Sequence, residues 1–387
     1  MKLHITTAVL LLSTICSAQF LDSRNRAMGG TGVASSHYTS AGFINPALLT
    51  RFGDTDDFGL IIPSIGTSAA DNDGLIEGID DFQDSLSDLR ANFNSVKAEG
   101  VAQKLEALSG DRANLGLGFG LSAAMPSDSF AWALIAHSYV DAQVGLSGNL
   151  AADANTIRTA LSGGFPTLTT KGEIRGAMVT EVGFAMATEL SLGGIDLSIG
   201  ATPKAQRIDA YNYSVGIADF EDGFDDFRDS KYRSNSTGFN VDVGTAASFF
   251  DDTLTIGLAG RNLVEHELKT VASGSTPAFT HHIGPTFKAG AALNFGGATL
   301  AADVDVTEID RFKNNDESRF ANVGAEFNLV GWMQFRAGYQ TDLEDTVDDM
   351  ITAGVGLSPF DFFHVDLAAV YGEGDTYGAM LQFWITF

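Results

Sequence analysis

Few groupings in this 387-residue chain could do chemistry on their own. His281-His282 offers two imidazoles, the side chain most used to hold transition metals or to move protons near neutral pH. The pair lies in a long connection and reads as a flexible surface pair rather than a metal site. Asp71-Asn72-Asp73-Gly74 has the residue types of a calcium loop, but in the EF-hand register Ala69 takes the first ligand position. Glu221-Asp222-Gly223-Phe224-Asp225-Asp226 either holds calcium loosely or is a solvated acidic loop. Gly116, Gly118 and Gly120 have part of the spacing of a dinucleotide turn, yet they sit inside an alternating stretch where small inward residues suffice. There is no Gly-x-Ser-x-Gly elbow, no His-Glu-x-x-His and no phosphate loop. The expectation is a non-enzyme with no cofactor, no metal and no catalytic residue.

A second set of chemically active residues is more informative. Glu181, Asp196, Asp242, Arg261, Lys288, Asp303, Asp305, Glu326, Arg336, His364 and Asp366 all fall among apolar residues at period two. Side chains at that period share one face of a strand. If the apolar set faces lipid, these charges face an enclosed lumen. Neighbouring strands then bring Lys288 opposite Asp303 or Asp305, and Glu326 opposite Arg336. The charges either pair to hold the lumen and seat a plug, or line a polar conduit. An unpaired buried charge is costly, so a plugged lumen needs such partners.

The elements that must position these residues are strands. At the end of the chain Tyr377, Ala379, Leu381, Phe383, Ile385 and Phe387 fall on one face, and Gly378, Met380, Gln382, Trp384 and Thr386 on the other. Met333, Phe335, Ala337 and Tyr339 oppose Gln334, Arg336 and Gln340, and three further stretches follow the same rule. Segments run near ten residues, which suits a tilted strand crossing a bilayer. Short turns such as Phe295-Gly296-Gly297 and Leu329-Val330-Gly331 alternate with longer charged connections such as 220–233 and 311–319. That alternation is the outer-membrane barrel pattern. Strand centres fall near Leu60, Gly118, Leu134, Val182, Leu197, Val243, Ile256, Ala289, Val304, Gly324, Phe335, Val355, Leu367 and Phe383. The predicted fold is all-β: a transmembrane antiparallel β-barrel of about fourteen strands, with both ends on the periplasmic side.

Composition agrees. With 49 acids against 23 bases the net charge is −26. Phosphate binding needs clustered Lys and Arg, so no nucleic-acid contact is expected, nor polybasic docking on anionic lipid. Lys2, the apolar run from Ile5 to Ile15 and Cys16-Ser17-Ala18 read as a secretory signal cut after Ala18. Ile15 is too large for a lipoprotein site before Cys16. The mature chain then starts at Gln19 with no Cys, and no later apolar run is long enough for a helical span.

Two regions break the strand pattern. From Gly74 to Leu108, apolar residues recur at spacings of three and four, the signature of amphipathic helix, with a break expected near Gly100. By turn parity this insert, about 74–109, lies outside the cell, as a ligand-capture lid or a cap on the barrel mouth. Residues 155–161 add a further helical turn. The other region spans residues 24–50. It is rich in glycine, at Gly29, Gly30 and Gly32, and carries Asn45-Pro46-Ala47. Glycine lets backbone approach other groups closely, so a segment 19–55 folded into the lumen as a plug is expected, followed by the barrel from 56 to 387.

The stretch Met28-Gly29-Gly30-Thr31-Gly32-Val33-Ala34, followed by Asn45-Pro46-Ala47, resembles the start of the FadL-like outer-membrane proteins. It is most similar to the branch of the conjugal transfer protein TraF, with the PorV-type barrels as cousins. Gly257-Leu258-Ala259-Gly260-Arg261-Asn262-Leu263 resembles the PorV-type pattern. The resemblance implies an N-terminal hatch in a fourteen-stranded barrel, with Gly29, Gly30, Gly32, Asn45, Pro46 and Ala47 in the plug or ligand gate. The C-terminal Phe387, with Phe383 and Ile385, resembles the signal read by the barrel assembly machinery. The acidic helical insert departs from the fatty-acid transporters, so their substrate is not implied.

Two functions stay open. One is transport of a hydrophobic small molecule across the outer membrane of a Gram-negative-type bacterium; it predicts an apolar pocket between plug and wall, with a gap or kink beside it. The other is an envelope-assembly or conjugal-transfer accessory that docks a secretion or conjugation partner; it predicts a closed, ion-paired lumen. In either case outer-membrane lipid surrounds the barrel.

Overall fold

The computed structural model describes residues 21–53, 56–71, 73–127, 129–160, 167–192, 195–220, 229–274, 276–310, 317–360, 362–373 and 376–387. The expected signal sequence and the acidic run Glu221–Asp226 lie outside the described residues.

A closed antiparallel barrel forms the molecule's wall. Its fourteen strands are β1 (Gly59–Ala70), β2 (Arg112–Met125), β3 (Ala131–Ser147), β4 (Lys171–Leu192), β5 (Ile195–Gly216), β6 (Arg233–Phe249), β7 (Leu254–Arg261), β10 (Thr286–Asn294), β11 (Ala298–Asp305), β12 (Phe320–Val330), β13 (Met333–Asp342), β14 (Met350–Phe360), β15 (Phe363–Gly372) and β16 (Thr376–Thr386). The gap in numbering is the hairpin β8 (His266–Lys269) and β9 (Thr280–Ile283), which pair with each other outside the barrel. Each of the fourteen expected centres falls on one of the fourteen barrel strands. β16 closes the cylinder on β1, with Leu60 opposite Ile385 and Ala70 opposite Thr376.

Period two sets the two faces. Val323, Phe327, Phe335, Leu367 and Tyr371 are exposed on the outside, whereas Asn322, Arg336, Gln340 and Asp366 between them are buried inside. Because the apolar set is outermost and the polar set enclosed, the wall is inverted relative to a soluble protein, as a membrane barrel requires. Among the described residues no helix is long and apolar enough to cross a membrane.

The wall is uneven in height. β4 and β5 have 22 residues each, whereas β7 and β11 have 8. The long-loop end therefore rises on one side, and the helical insert leans on that rise. It consists of α3 (Leu75–Ala91) and α4 (Ser95–Ala107), numbered after two short helices of the N-terminal segment, α1 (Ser23–Ala27) and α2 (Tyr38–Ile44). The break falls at Asn92–Asn94, because Asn94 accepts the Val96 N–H and starts a new helix; Gly100 lies within α4, not at the break expected there. The helical turn expected at 155–161 belongs to α5 (Leu150–Thr159). Leu75, Ile79, Phe82 and Leu86 bury their face against Val101 and Leu105, Ile157 of α5, and Ile174, Tyr213 and Ile217 around the β4–β5 rise. Arg158 ties α5 to α4 through Glu99 at 3.0 Å and Glu106 at 2.6 Å. The geometry is that of a cap. Asp71, suggestive of calcium in the sequence, accepts the Leu75 and Ile76 N–H groups at 2.7 and 3.1 Å and starts α3.

Candidate functional site

The site is the contact between the N-terminal segment and the lumen wall. This segment folds as α1, a glycine turn, α2 and a short 3-10 helix (Pro46–Thr50), all packed inside the barrel. Its entry is fixed locally. Asp22 accepts the Asn25 N–H and caps α1. Gly29 has φ of +74°, a left-handed conformation that glycine adopts without strain.

Asn45, Pro46 and Ala47 are fully buried against β5 and β6. Asn45 accepts the Ala47 N–H at 3.1 Å and starts the 3-10 helix. Its amide donates to the carbonyls of Val33 at 2.7 Å and Thr245 at 3.2 Å. Thus Asn45 is a three-way rivet joining two parts of the plug to the wall. The wall makes room with glycine: a Cβ on Gly200 would lie 2.6 Å from the Ala47 nitrogen, and one on Gly244 would overlap Asn45. Gly324 and Gly338 do the same beneath Met28, and Gly29 lies on the backbone of Val323 and Tyr339.

Charged groups latch the other side. Arg24 donates to both carboxylate oxygens of Glu326, at 2.8 and 2.9 Å. Glu326 also accepts from Arg336 at 2.6 Å, and Arg336 continues to Asp366. Asp366 is held in turn by the Trp384 indole N–H at 2.7 Å. Asp303 accepts the N–H groups of Gly32 and Val33 at 2.7 and 2.9 Å. Lys288 pairs with Asp305 at 3.1 Å, its register partner, rather than with Asp303. His364 stacks on Trp384 at 3.7 Å between centroids, and plug residue His37 approaches the same indole at 4.7 Å. Arg26, almost fully buried, donates to Gln340 at 3.0 Å.

Of the expected interior set, Arg261, Lys288, Asp303, Asp305, Glu326, Arg336, His364, Asp366, Glu181 and Asp242 all face the lumen. Asp196 sits at the short-turn rim, held by Ser191 at 2.9 Å. Sequence reasoning missed the centre of one network: Lys204, fully buried, bridges Glu181 at 3.0 Å and Asp242 at 2.8 Å. Arg261 lies 3.8 Å from Asp242, and His137 lies 2.8 Å from Glu181. The missed signal was alternation of Thr202, Lys204 and Gln206 around Pro203, a residue that discourages a strand assignment. Phe383 and Ile385 face outward opposite Val365 and Phe363, and Phe387 exchanges backbone hydrogen bonds with Phe58 beside β1.

Two cavities lie in series above the plug. The inner one, about 90 Å³, is lined by apolar Val33, Ile44, Ala259 and Phe320 together with polar Asp22, Asn25 and Arg26 of the plug and Arg261, Lys288, Asp303 and Asp305 of the wall. The outer one, about 210 Å³, shares Arg261, Thr286 and Ile309 with it and reaches the β8–β9 hairpin. That hairpin closes over the mouth. Ile283 packs on Val179 and Ile208, and Asn212 of β5 donates to the carbonyls of Val271 and Pro277 at 2.9 and 3.1 Å. His281-His282 is therefore part of a strand, β9, and not a flexible surface pair; His281 is buried because β9 turns that face inward. The barrel wall beside the plug is interrupted within β4–β5, where the ladder skips from Gly183–Lys204 to Met186–Ala201 around Pro203, which has no N–H to give, and again in β1, where both ladders shift register between Ile61 and Ser64.

The same fold recurs in solved proteins. A monoaromatic hydrocarbon channel, a TodX variant, superposes with a TM-score of 0.55 at 13% identity, over 97% of this chain and 100% of that one. The toluene transporter TbuX of Ralstonia pickettii gives 0.57 at 12%, over 96% and 99%. A FadL homologue of Pseudomonas aeruginosa gives 0.55 at 9%, over 97% and 99%. No curated protein sequence matches the chain. The family profile described as F plasmid transfer operon, TraF, protein matches residues 42–305. The chain belongs to that TraF family, and its fold is the FadL-like outer-membrane barrel.

Proposed function

We propose that this protein is a plug-gated channel that admits small, largely apolar molecules through the outer membrane. The observation that carries this reading is the pair of cavities in series, leading from under the β8–β9 hairpin to the plug at Val33. Lys288 is paired with Asp305 in the wall, and Val33, Ile44, Ala259 and Phe320 give the inner cavity an apolar surface for a guest. The inner cavity is too small for passage: a cavity holding benzene is about 150 Å³, against about 90 Å³ here. The geometry is thus that of a closed state, and passage requires the plug to move. Gly29, Gly30, Gly32, Asn45, Pro46 and Ala47 are its gate residues, and Phe383, Ile385 and Phe387 its assembly signal. The hydrocarbon channels that share the fold support the same reading.

Native mass spectrometry of the protein gently released from outer membranes tests it. A discrete small apolar ligand, lost on substituting Asn45 or Pro46, is expected. An empty barrel carrying a stoichiometric protein would instead favour the second reading, an envelope or conjugation accessory. The closed, ion-paired lumen and the helical cap favour that second reading.

A further inference from the structure

Beside the outer cavity, three side chains unused by the plug converge on one face of the β8–β9 hairpin. Glu265 precedes β8, Glu267 lies two residues on, and His282 of β9 stands directly opposite Glu267 in the ladder. Period two puts Glu265 and Glu267 on the same face. Their ligand atoms and the His282 nitrogen all lie within 4.8 Å of one another.

The imidazole is oriented from behind. His282 Nδ1 lies 3.0 Å from the Asp310 carbonyl oxygen, which can only accept, so Nδ1 carries the hydrogen. That directs Nε2 at the Glu265 carboxylate, 2.9 Å away. Nε2 and the Glu265 carboxylate are held together either by a proton, as an ion pair, or by a metal ion that both ligate. A ring fixed by a carbonyl on one nitrogen, with the other nitrogen aimed among carboxylates, is the arrangement that supports metal ligation.

We propose that Glu265, Glu267 and His282 bind a divalent transition-metal ion at the mouth of the barrel. One imidazole and two carboxylates suit Zn²⁺, with the adjoining cavity of about 210 Å³ supplying room for a water ligand. Ca²⁺ and Mg²⁺ prefer all-oxygen shells, so the imidazole selects against them. The bound ion would join β8 to β9 across the hairpin that covers the mouth.

The test uses the full-length barrel in detergent, purified without a histidine tag and stripped with chelator. Isothermal titration with zinc chloride is expected to show one saturable site per chain, with no comparable uptake of Mg²⁺. His282→Gln and Glu267→Gln should each weaken zinc binding by roughly 10-fold or more. Unchanged heat-dependent gel mobility shows that each variant barrel is folded. Co²⁺ in place of zinc should give the visible bands of a four- or five-coordinate ion in the wild type and lose them in His282→Gln. No saturable zinc uptake by the folded wild type, or equal uptake by His282→Gln, overturns the assignment.

Discussion

Arg24 of the plug grips Glu326 of the wall with a bidentate contact, and Glu326 is at the same time bound by Arg336. One carboxylate thus serves both the barrel and its plug. Glu326→Gln leaves the buried Arg336 and the partly buried Arg24 short of negative charge, a defect of about 3 kcal/mol. The plug is expected to loosen while the barrel stays closed. Limited trypsin digestion checks this. Cleavage after Arg24 and Arg26 should appear in the variant and be absent from the wild type, with heat-dependent gel mobility unchanged.

Asn45 makes three hydrogen bonds at one buried position, one of them a helix cap. Asn45→Ala should cost about 2–3 kcal/mol of plug docking, at roughly 1 kcal/mol for each bond. Asn45→Asp keeps the acceptor of the cap but loses both donors and buries a charge, so it should be worse than alanine. Hydrogen exchange of the Ala47 and Leu48 amides gives the order directly.

The wall glycines under the plug are steric seats. Gly200→Ala places a methyl 2.6 Å from the Ala47 nitrogen, and Gly324→Ala places one 2.6 Å from the Met28 Cβ. Overpacking of this kind costs about 1–3 kcal/mol. Both variants should raise trypsin access to the plug, whereas Gly331→Ala, whose added Cβ meets nothing within 4 Å, should leave it unchanged.

Plug docking should weaken in acid. Burial, with the nearby Arg24 charge adding to it, pushes the His37 imidazole down from 6.5 to about 3. The undocked plug therefore takes up a proton near 6.5, and the docked plug only near 3. The contribution of His37 is fully present above about 6.5 and is lost as pH falls through that window, by up to about 1.4 kcal/mol per pH unit. Asp22, pushed up by burial, acts in the opposite sense. Exchange of plug amides, corrected for intrinsic rates, should rise between pH 7.5 and 5. His37→Asn, which keeps a side chain able to cap α2, should flatten that rise.

The helical cap is held mainly by its apolar face. Phe82 is fully buried between α3 and the β4–β5 rise. Phe82→Ala should cost about 3–5 kcal/mol locally. Exchange across 75–107 should accelerate while the barrel's melting transition stays in place.

Particular residues show what the sequence could and could not express. The alternation of Val323, Ala325 and Phe327 with Asn322 and Glu326 carries the strand, its lipid face and its lumen face together, because all three follow from period two. Antiparallel pairing of consecutive strands also made Glu326–Arg336 and Lys288–Asp305 legible. Arg24 was not legible as a partner of Glu326, because 302 residues separate them and only the folded plug brings them together. Asp303 was an expected partner for Lys288, but in the register it faces Gly290, and its free side was taken by plug N–H groups. The β8–β9 hairpin was missed because its strands have four residues each, too short for alternation to register.

The most direct test of a plug-gated channel is uptake of radiolabelled toluene by cells with an intact outer membrane, comparing wild type, Glu326→Gln and cells without the protein. Wild-type cells should take up toluene faster than cells without the protein, and Glu326→Gln, with its latch broken, faster still. Equal uptake in all three, with both proteins folded in the membrane, would contradict the channel reading.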